Sequence, residues 1–197
     1  MERKIQKNQY NARTTVLEML EDRGYNVDPE LYEFTYEDFL NIGFTNIHVF
    51  DEYGNEMYVY FSKYEKPVTL TVLTDIYSSV IEETENEDIR IIVLLNEISN
   101  TVSNSLIKKK LKNMETFKYD QLKINITKHE IMPKFEMLSE EEATKLFEVN
   151  KFTKKELPSI LVSDPICKYY NADVGTIFRI LRKSPSIGIS VEYKKVI

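Results

Sequence analysis

The sequence predicts a mixed α+β / α/β chain in two domains. Residues 1–127 form a mixed sheet with flanking helices, and residues 128–197 form a small α+β unit with a short antiparallel sheet. Three observations carry this reading. Helix-period and strand-like segments alternate through the first domain. Arg90-Ile91-Ile92-Val93-Leu94-Leu95 is continuously apolar after its arginine, as a strand buried on both faces requires. Residues 128–197 combine helix-capping signatures with two segments that alternate at period two.

The first domain opens with an amphipathic helix over 3–23. Ile5, Ala12, Val16, Met19 and Leu20 recur at helical spacing, and Gly24 supplies a left-handed stop. Thr35 caps a short second helix, with Asp38 placed to reach back and Gly43 to end it. Ile47-His48-Val49-Phe50 reads as a strand, Asp51-Glu52-Tyr53-Gly54-Asn55 as a turn, and 57–61 as the partner strand. Over 69–84, Leu70, Leu73, Ile76, Tyr77, Val80 and Ile81 share one helical face, against the weak helix propensity of the threonines. Strand 90–95 follows, then a helix over 100–112, then strands at 114–118 and 121–126.

The second domain begins at Lys128. Ser139 and Glu142 form a capping box that opens a helix through Val149, and Thr153 with Glu156 repeats the pattern for a short turn. Asp164 before Pro165 is an N-cap followed by proline at the first helical position, so 165–170 is a short helix. Residues 176–182 and 189–193 are strands joined by a turn holding Pro185 and Gly188.

The chain is 42% apolar, enough for a packed core. Its formal charge of −6 argues against coating nucleic acid by bulk charge. Residues 1–127 carry 14 Lys/Arg and 22 Asp/Glu (14 − 22 = −8); residues 128–197 carry 12 and 10 (12 − 10 = +2). Cys167, the single cysteine, cannot close an internal disulfide, and no Cys/His cluster suggests zinc. This fits a reducing compartment. No apolar run suits a signal peptide or a membrane span, so an intracellular, soluble protein is expected. His48 and His129 are the two histidines, and neither they nor Cys167 has a partner that would make a catalytic pair. No catalytic residue, metal, cofactor or small-molecule substrate is expected.

The most specific signal is an ordered set of segments in the last third. It runs Asn-Ile-Thr-Lys-His-Glu-Ile-Met-Pro-Lys (125–134), Leu-Ser-Glu-Glu-Glu-Ala (138–143), Glu-Leu-Pro-Ser-Ile (156–160), Asp-Pro-Ile-Cys-Lys-Tyr-Tyr (164–170) and Gly-Thr-Ile-Phe-Arg-Ile-Leu-Arg-Lys-Ser (175–184). In this order and spacing they resemble the C-terminal domain of the fifth-largest subunit of eukaryotic RNA polymerases, a domain that in archaea makes up the whole of the corresponding subunit. Glu-Asp-Arg-Gly-Tyr (21–25), Tyr-Glu-Asp-Phe (36–39) and Met-Glu-Thr-Phe (114–117) extend the resemblance to the eukaryotic version, which has an additional N-terminal domain. Three departures stand out: Phe135 where the family usually has His, Asn171-Ala172-Asp173-Val174 where it is usually basic, and the turn from Ser184 to Ile189. They suggest a divergent polymerase of the kind a large DNA virus encodes, placed in virion and host cytoplasm; a cellular version would be nuclear.

The resemblance implies a non-catalytic subunit of a multisubunit DNA-dependent RNA polymerase. Its C-terminal domain would dock on the largest subunit, among other polymerase subunits. Its N-terminal domain, of nuclease-like fold, would form part of a jaw beside the downstream duplex. Pro133, Pro158 and Pro165 would hold chain direction at the docking surface. Lys134, Asp164, Tyr169, Tyr170, Arg179 and Arg182 complete the expected partner-binding set; intradomain packing is the other reading of the two tyrosines. Lys108, Lys109, Lys110 and Lys112, with Lys118 and Lys123, are either weak DNA-phosphate contacts or a solvated helix end. Two alternatives remain: a stand-alone protein that copies the docking domain to modulate a polymerase, and a nuclease. A nuclease of that fold needs a Glu-x-Lys on a strand; the one at Glu192-Tyr193-Lys194 is in the wrong domain.

Overall fold

The computed structural model describes residues 2–100, 102, 111, 113–150, 156–184 and 188–197. They divide into two compact units, Met1–Ile124 and Asn125–Ile197.

In the first unit α1 (Glu2–Asp22) buries Ala12, Val16, Leu17, Met19 and Leu20 completely. Gly24 follows at φ +88°, a conformation that suits glycine, and turns the chain into β1 (Tyr25–Asn26). After α2 (Glu30–Glu33), α3 (Tyr36–Ile42) opens on the expected capping box. Asp38 N–H donates to Thr35 Oγ1 at 3.2 Å, and Thr35 N–H donates to Asp38 Oδ2 at 2.8 Å. β2 (Ile47–Asp51), β3 (Glu56–Phe61), α4 (Leu70–Thr84), β4 (Arg90–Leu95) and β5 (Met114–Lys118) complete the sheet. Its order is β1-β2-β3-β4-β5. The first two pairings are antiparallel and the last two parallel.

β4 is buried on both faces, and α4 covers one of them. Ile91, Val93 and Leu95 pack in one cluster with Leu73, Ile76 and Val80 of α4. Ile92 points the other way, on the face of its cross-strand partner Glu115. Arg23, just beyond α1, donates to both Glu115 carboxylate oxygens, at 2.9 and 3.0 Å, and so ties the end of α1 to that face.

The expected strand at 121–126 is not a strand. Tyr119–Leu122 is a helical turn, α5, and Ile126–Lys128 a 3₁₀ turn. Side chains capture the backbone there and divert it from a ladder. Gln121 Oε1 accepts the Lys118 N–H at 3.0 Å, and Asn125 Oδ1 accepts the Thr127 N–H at 2.9 Å. The predicted helix over 100–112 and the repeated cap at Thr153 fall almost wholly outside the described residues. The short elements Tyr25–Asn26, Glu30–Glu33, Lys134–Met137 and Ser159–Ile160 carry too little periodicity to be read from sequence.

In the second unit β6 (Lys134–Met137), α6 (Glu140–Asn150), β7 (Ser159–Ile160), α7 (Pro165–Tyr169), β8 (Ile177–Ser184) and β9 (Gly188–Val196) follow in turn. The sheet order is β6-β8-β9-β7. The β6–β8 and β8–β9 pairs are antiparallel, and β7 adds to β9 in parallel. α6 opens on the predicted capping box, Ser139 N–H to Glu142 Oε2 at 3.0 Å and Glu142 N–H to Ser139 Oγ at 3.2 Å. Asn125, Ile126 and Thr127, assigned to the first domain from sequence, belong to this unit.

The double-sided burial of β4 makes a test. Ile91→Ala and Ile92→Ala, neighbours on opposite faces, should each lower unfolding free energy by about 3 kcal/mol in urea titration. A loss below about 0.5 kcal/mol at one of them would show that face to be open.

Candidate partner-binding surface

The second unit is organised around Phe178. Its ring is fully buried on β8, and two aromatic rings close on it: Phe135 edge-on at 5.7 Å and Tyr170 at 5.9 Å. Phe135, the departure after Pro133-Lys134, is thus half-buried against the core. α7 supplies the rest. Asp164 Oδ1 accepts the Ile166 N–H at 2.9 Å, as the sequence predicts for an N-cap. Pro165 at the first helical position has no N–H to leave unpaired. The helix then turns Ile166, Cys167 and Tyr169 inward. Burial, aided by the Asp164 charge, pushes the Cys167 thiol up to about 11, so it behaves as a small apolar residue rather than a nucleophile.

Tyr169 is 2% exposed, and its hydroxyl accepts from Asn125 Nδ2 at 3.1 Å. Tyr170 stacks edge-on against it at 5.1 Å. Of the two readings open for these tyrosines, the rings are placed for packing; the Tyr169 ring offers no surface to a partner. Asn171 takes the left-handed conformation at φ 51° after the helix, which Asn tolerates, and Ala172 beyond it is buried. The unusual 171–174 segment therefore closes a helix.

Two charged residues of the set, Lys134 and Arg179, meet at Glu136. Its carboxylate accepts from Lys134 Nζ at 2.8 Å and from Arg179 Nε at 2.8 Å, and Glu142 lies 4.0 Å from the same guanidinium. Hydrogen bonds from Lys134 and then Arg179 hold the Glu136 carboxyl below the usual range. Lys134, Pro158, Pro165 and Arg182 lie exposed, and Pro133 half-buried. Sequence reasoning missed Glu136 and Asn125, and their chain positions signal neither role. The outward face of the β8–β9 ribbon carries exposed Ile189 and Val191, also missed.

Other candidates are local or undescribed. His129 Nδ1 accepts the Ile131 N–H at 3.5 Å, and His48 Nε2 meets Glu56 Oε2 at 2.8 Å across the hairpin. Glu192 and Lys194 lie on β9, in the second unit. Among the described residues no group of three or more His, Cys, Asp or Glu side chains could hold a metal ion. Lys108, Lys109, Lys110 and Lys112 lie outside the described residues; Lys118 and Lys123 are exposed.

The fold thus presents two compact units, the second with basic side chains on its β8–β9 ribbon and exposed prolines at 158 and 165. Comparison with known proteins gives the family. Residues 2–114 match RNA polymerase Rpb5, N-terminal domain, and residues 124–196 match RNA polymerase Rpb5, C-terminal domain. The chain belongs to the RNA polymerase Rpb5 family. It is 28% identical over 187 residues to the DNA-directed RNA polymerases I, II, and III subunit rpabc1 of Dictyostelium discoideum, covering 92% of this chain and 93% of that protein. It is 28% identical over 197 residues to the DNA-directed RNA polymerases IV and V subunit 5B of Arabidopsis thaliana, covering 95% and 88%. A shorter match of 75 residues, 47% identical, joins 38% of this chain to 89% of the DNA-directed RNA polymerase subunit Rpo5 of Sulfolobus acidocaldarius.

The Glu136 cluster sets a pH dependence. A carboxyl whose pKa is lowered on folding contributes stability that is full above its unfolded value and is lost as pH falls through the folded value. Glu136→Gln should remove that component. The stability gap between wild type and variant, from urea titrations, should be flat near neutral pH and shrink below about pH 4.3. A gap independent of pH through the acid range would mean that the pairs contribute nothing.

Proposed function

We propose that this chain is a non-catalytic subunit of a multisubunit DNA-dependent RNA polymerase, docked on the largest subunit through its second unit. The observation that carries the reading is the match of both units to one polymerase-subunit family. The Sulfolobus comparison supports the choice of unit. There 75 matched residues span 89% of a protein named as a polymerase subunit, so a chain about the size of Asn125–Ile197 suffices for membership. Pro133, Lys134, Pro158, Pro165 and Arg182 are the surface residues through which docking proceeds, with Asp164, Tyr170 and Arg179 holding their support in place.

The first unit serves as a jaw beside downstream DNA. With 14 − 22 = −8 charges over 1–127 it repels a duplex at long range, so attraction comes from Lys108, Lys109, Lys110 and Lys112. Tethering by the second unit raises the effective concentration enough for a weak contact to count. The departures at 135 and 171–190 favour a polymerase encoded by a large DNA virus and working in virion and host cytoplasm.

The test is purification of polymerase through the tagged full chain, wild type and with all four lysines changed to Ala. Both should recover the two large subunits in equal amounts. The mutant elongation complex should lose lifetime at lower salt, each lost phosphate contact removing roughly one counterion from the salt slope. Substoichiometric recovery would point instead to a modulator. Superimposable salt curves would take DNA away from these lysines.

A further inference from the structure

The free edge of β9 carries an inference beyond membership, and it rests on the reading that the second unit docks. Val196 N–H donates to Thr176 O at 2.9 Å. In an antiparallel pair, bonded and non-bonded couples alternate, so Phe178–Lys194, Ile180–Glu192 and Arg182–Ser190 are the bonded couples of β8 and β9. The residues between them, Ile189, Val191, Tyr193 and Lys195, aim their N–H and C=O groups away from β8. Lys195 is served by β7, its N–H meeting Pro158 O at 2.9 Å. The ladder then stops for a chemical reason. A continued parallel pairing would need residue 158 to donate to the Tyr193 carbonyl, and proline has no N–H. Among the described residues no backbone group outside β8 meets Ile189, Val191 or Tyr193. The edge is open to solvent, with Ile189 64% and Val191 49% exposed. An exposed apolar edge of this kind is a template for another strand.

Charge narrows the occupant. β8 and β9 carry Arg179, Arg182, Lys183, Lys194 and Lys195 against Glu192 alone, 5 − 1 = +4, in a chain of net −6. A second copy would set +4 against +4. Nucleic acid would leave the backbone ladder and the two aliphatic side chains unmatched. We infer that the β9 edge, terminated by Pro158, takes up an extended segment of a neighbouring polymerase subunit, with apolar side chains at alternate positions over Ile189 and Val191 and acidic residues flanking them. Backbone bonds supply affinity, and the alternate side chains with the basic rim supply specificity.

The experiment uses the full chain with Val191→Pro. The substitution deletes an N–H that faces solvent, so the free protein should melt as wild type does. Its association with the large polymerase subunits should weaken about tenfold, from lost strand pairing. A folded V191P that assembles as wild type overturns the strand while leaving docking intact. Should V191P not fold, hydrogen exchange on the wild-type chain decides: the peptide 188–194 should gain protection on assembly, and unchanged exchange overturns the proposal. A free chain that forms a dimer through this edge, or a DNA fragment that protects 188–194, would also overturn it. Failure of the docking reading looks different: wild type itself would not associate, or would cross-link to the largest subunit through residues 2–100 alone.

Discussion

The pleat of β8 decides which side of the second unit is core and which is surface. Phe178 and Ile180 face inward, so Arg179 and Leu181 must face outward. A slip of one residue would bury a guanidinium and expose the ring on which Phe135 and Tyr170 close. α7 locks the choice. Its cap at Asp164 and the bond from Asn125 to Tyr169 hold the inward layer against the strand. With that layer held, the outward face follows: Glu136 between Lys134 and Arg179, and beyond them the aliphatic pair on β9. A small unit cannot spare apolar area, so the exposure of Ile189 and Val191 is informative.

The first unit obeys a different constraint. A parallel strand needs a crossover, and α4 supplies the one between β3 and β4. The opposite face is covered as well, because five consecutive residues of β4 are buried. The bidentate Arg23–Glu115 pair fixes where α1 ends.

Most of this was legible in the sequence where a residue acts on its own neighbours. The Thr35–Asp38 and Ser139–Glu142 boxes, the Asp164–Pro165 helix start and the all-apolar β4 depend on spacing within a few residues, and each formed as read. Pairings distant in chain were not legible. Asn125 reaches Tyr169, and Glu136 reaches Arg179, across some forty positions. The strand expected at 121–126 failed because Gln121 and Asn125 bond the backbone beside them, a competition that apolar counting does not register. The open edge of β9 needs the phase of a ladder, which exists only once the register is set. Pro158 is an expected docking residue whose carbonyl accepts the Lys195 N–H at 2.9 Å, a bond that spacing alone does not announce.

Both units match one polymerase-subunit family; the proposal adds that the second unit is the attachment and the first a jaw. Electron cryo-microscopy of polymerase purified through the tagged chain tests this most directly. The account predicts residues 125–197 well ordered against the largest subunit, with the outward side of β9 buried and residues 2–100 flanking the downstream duplex. A map in which 125–197 faces solvent while the first unit makes the contact with the largest subunit would contradict it.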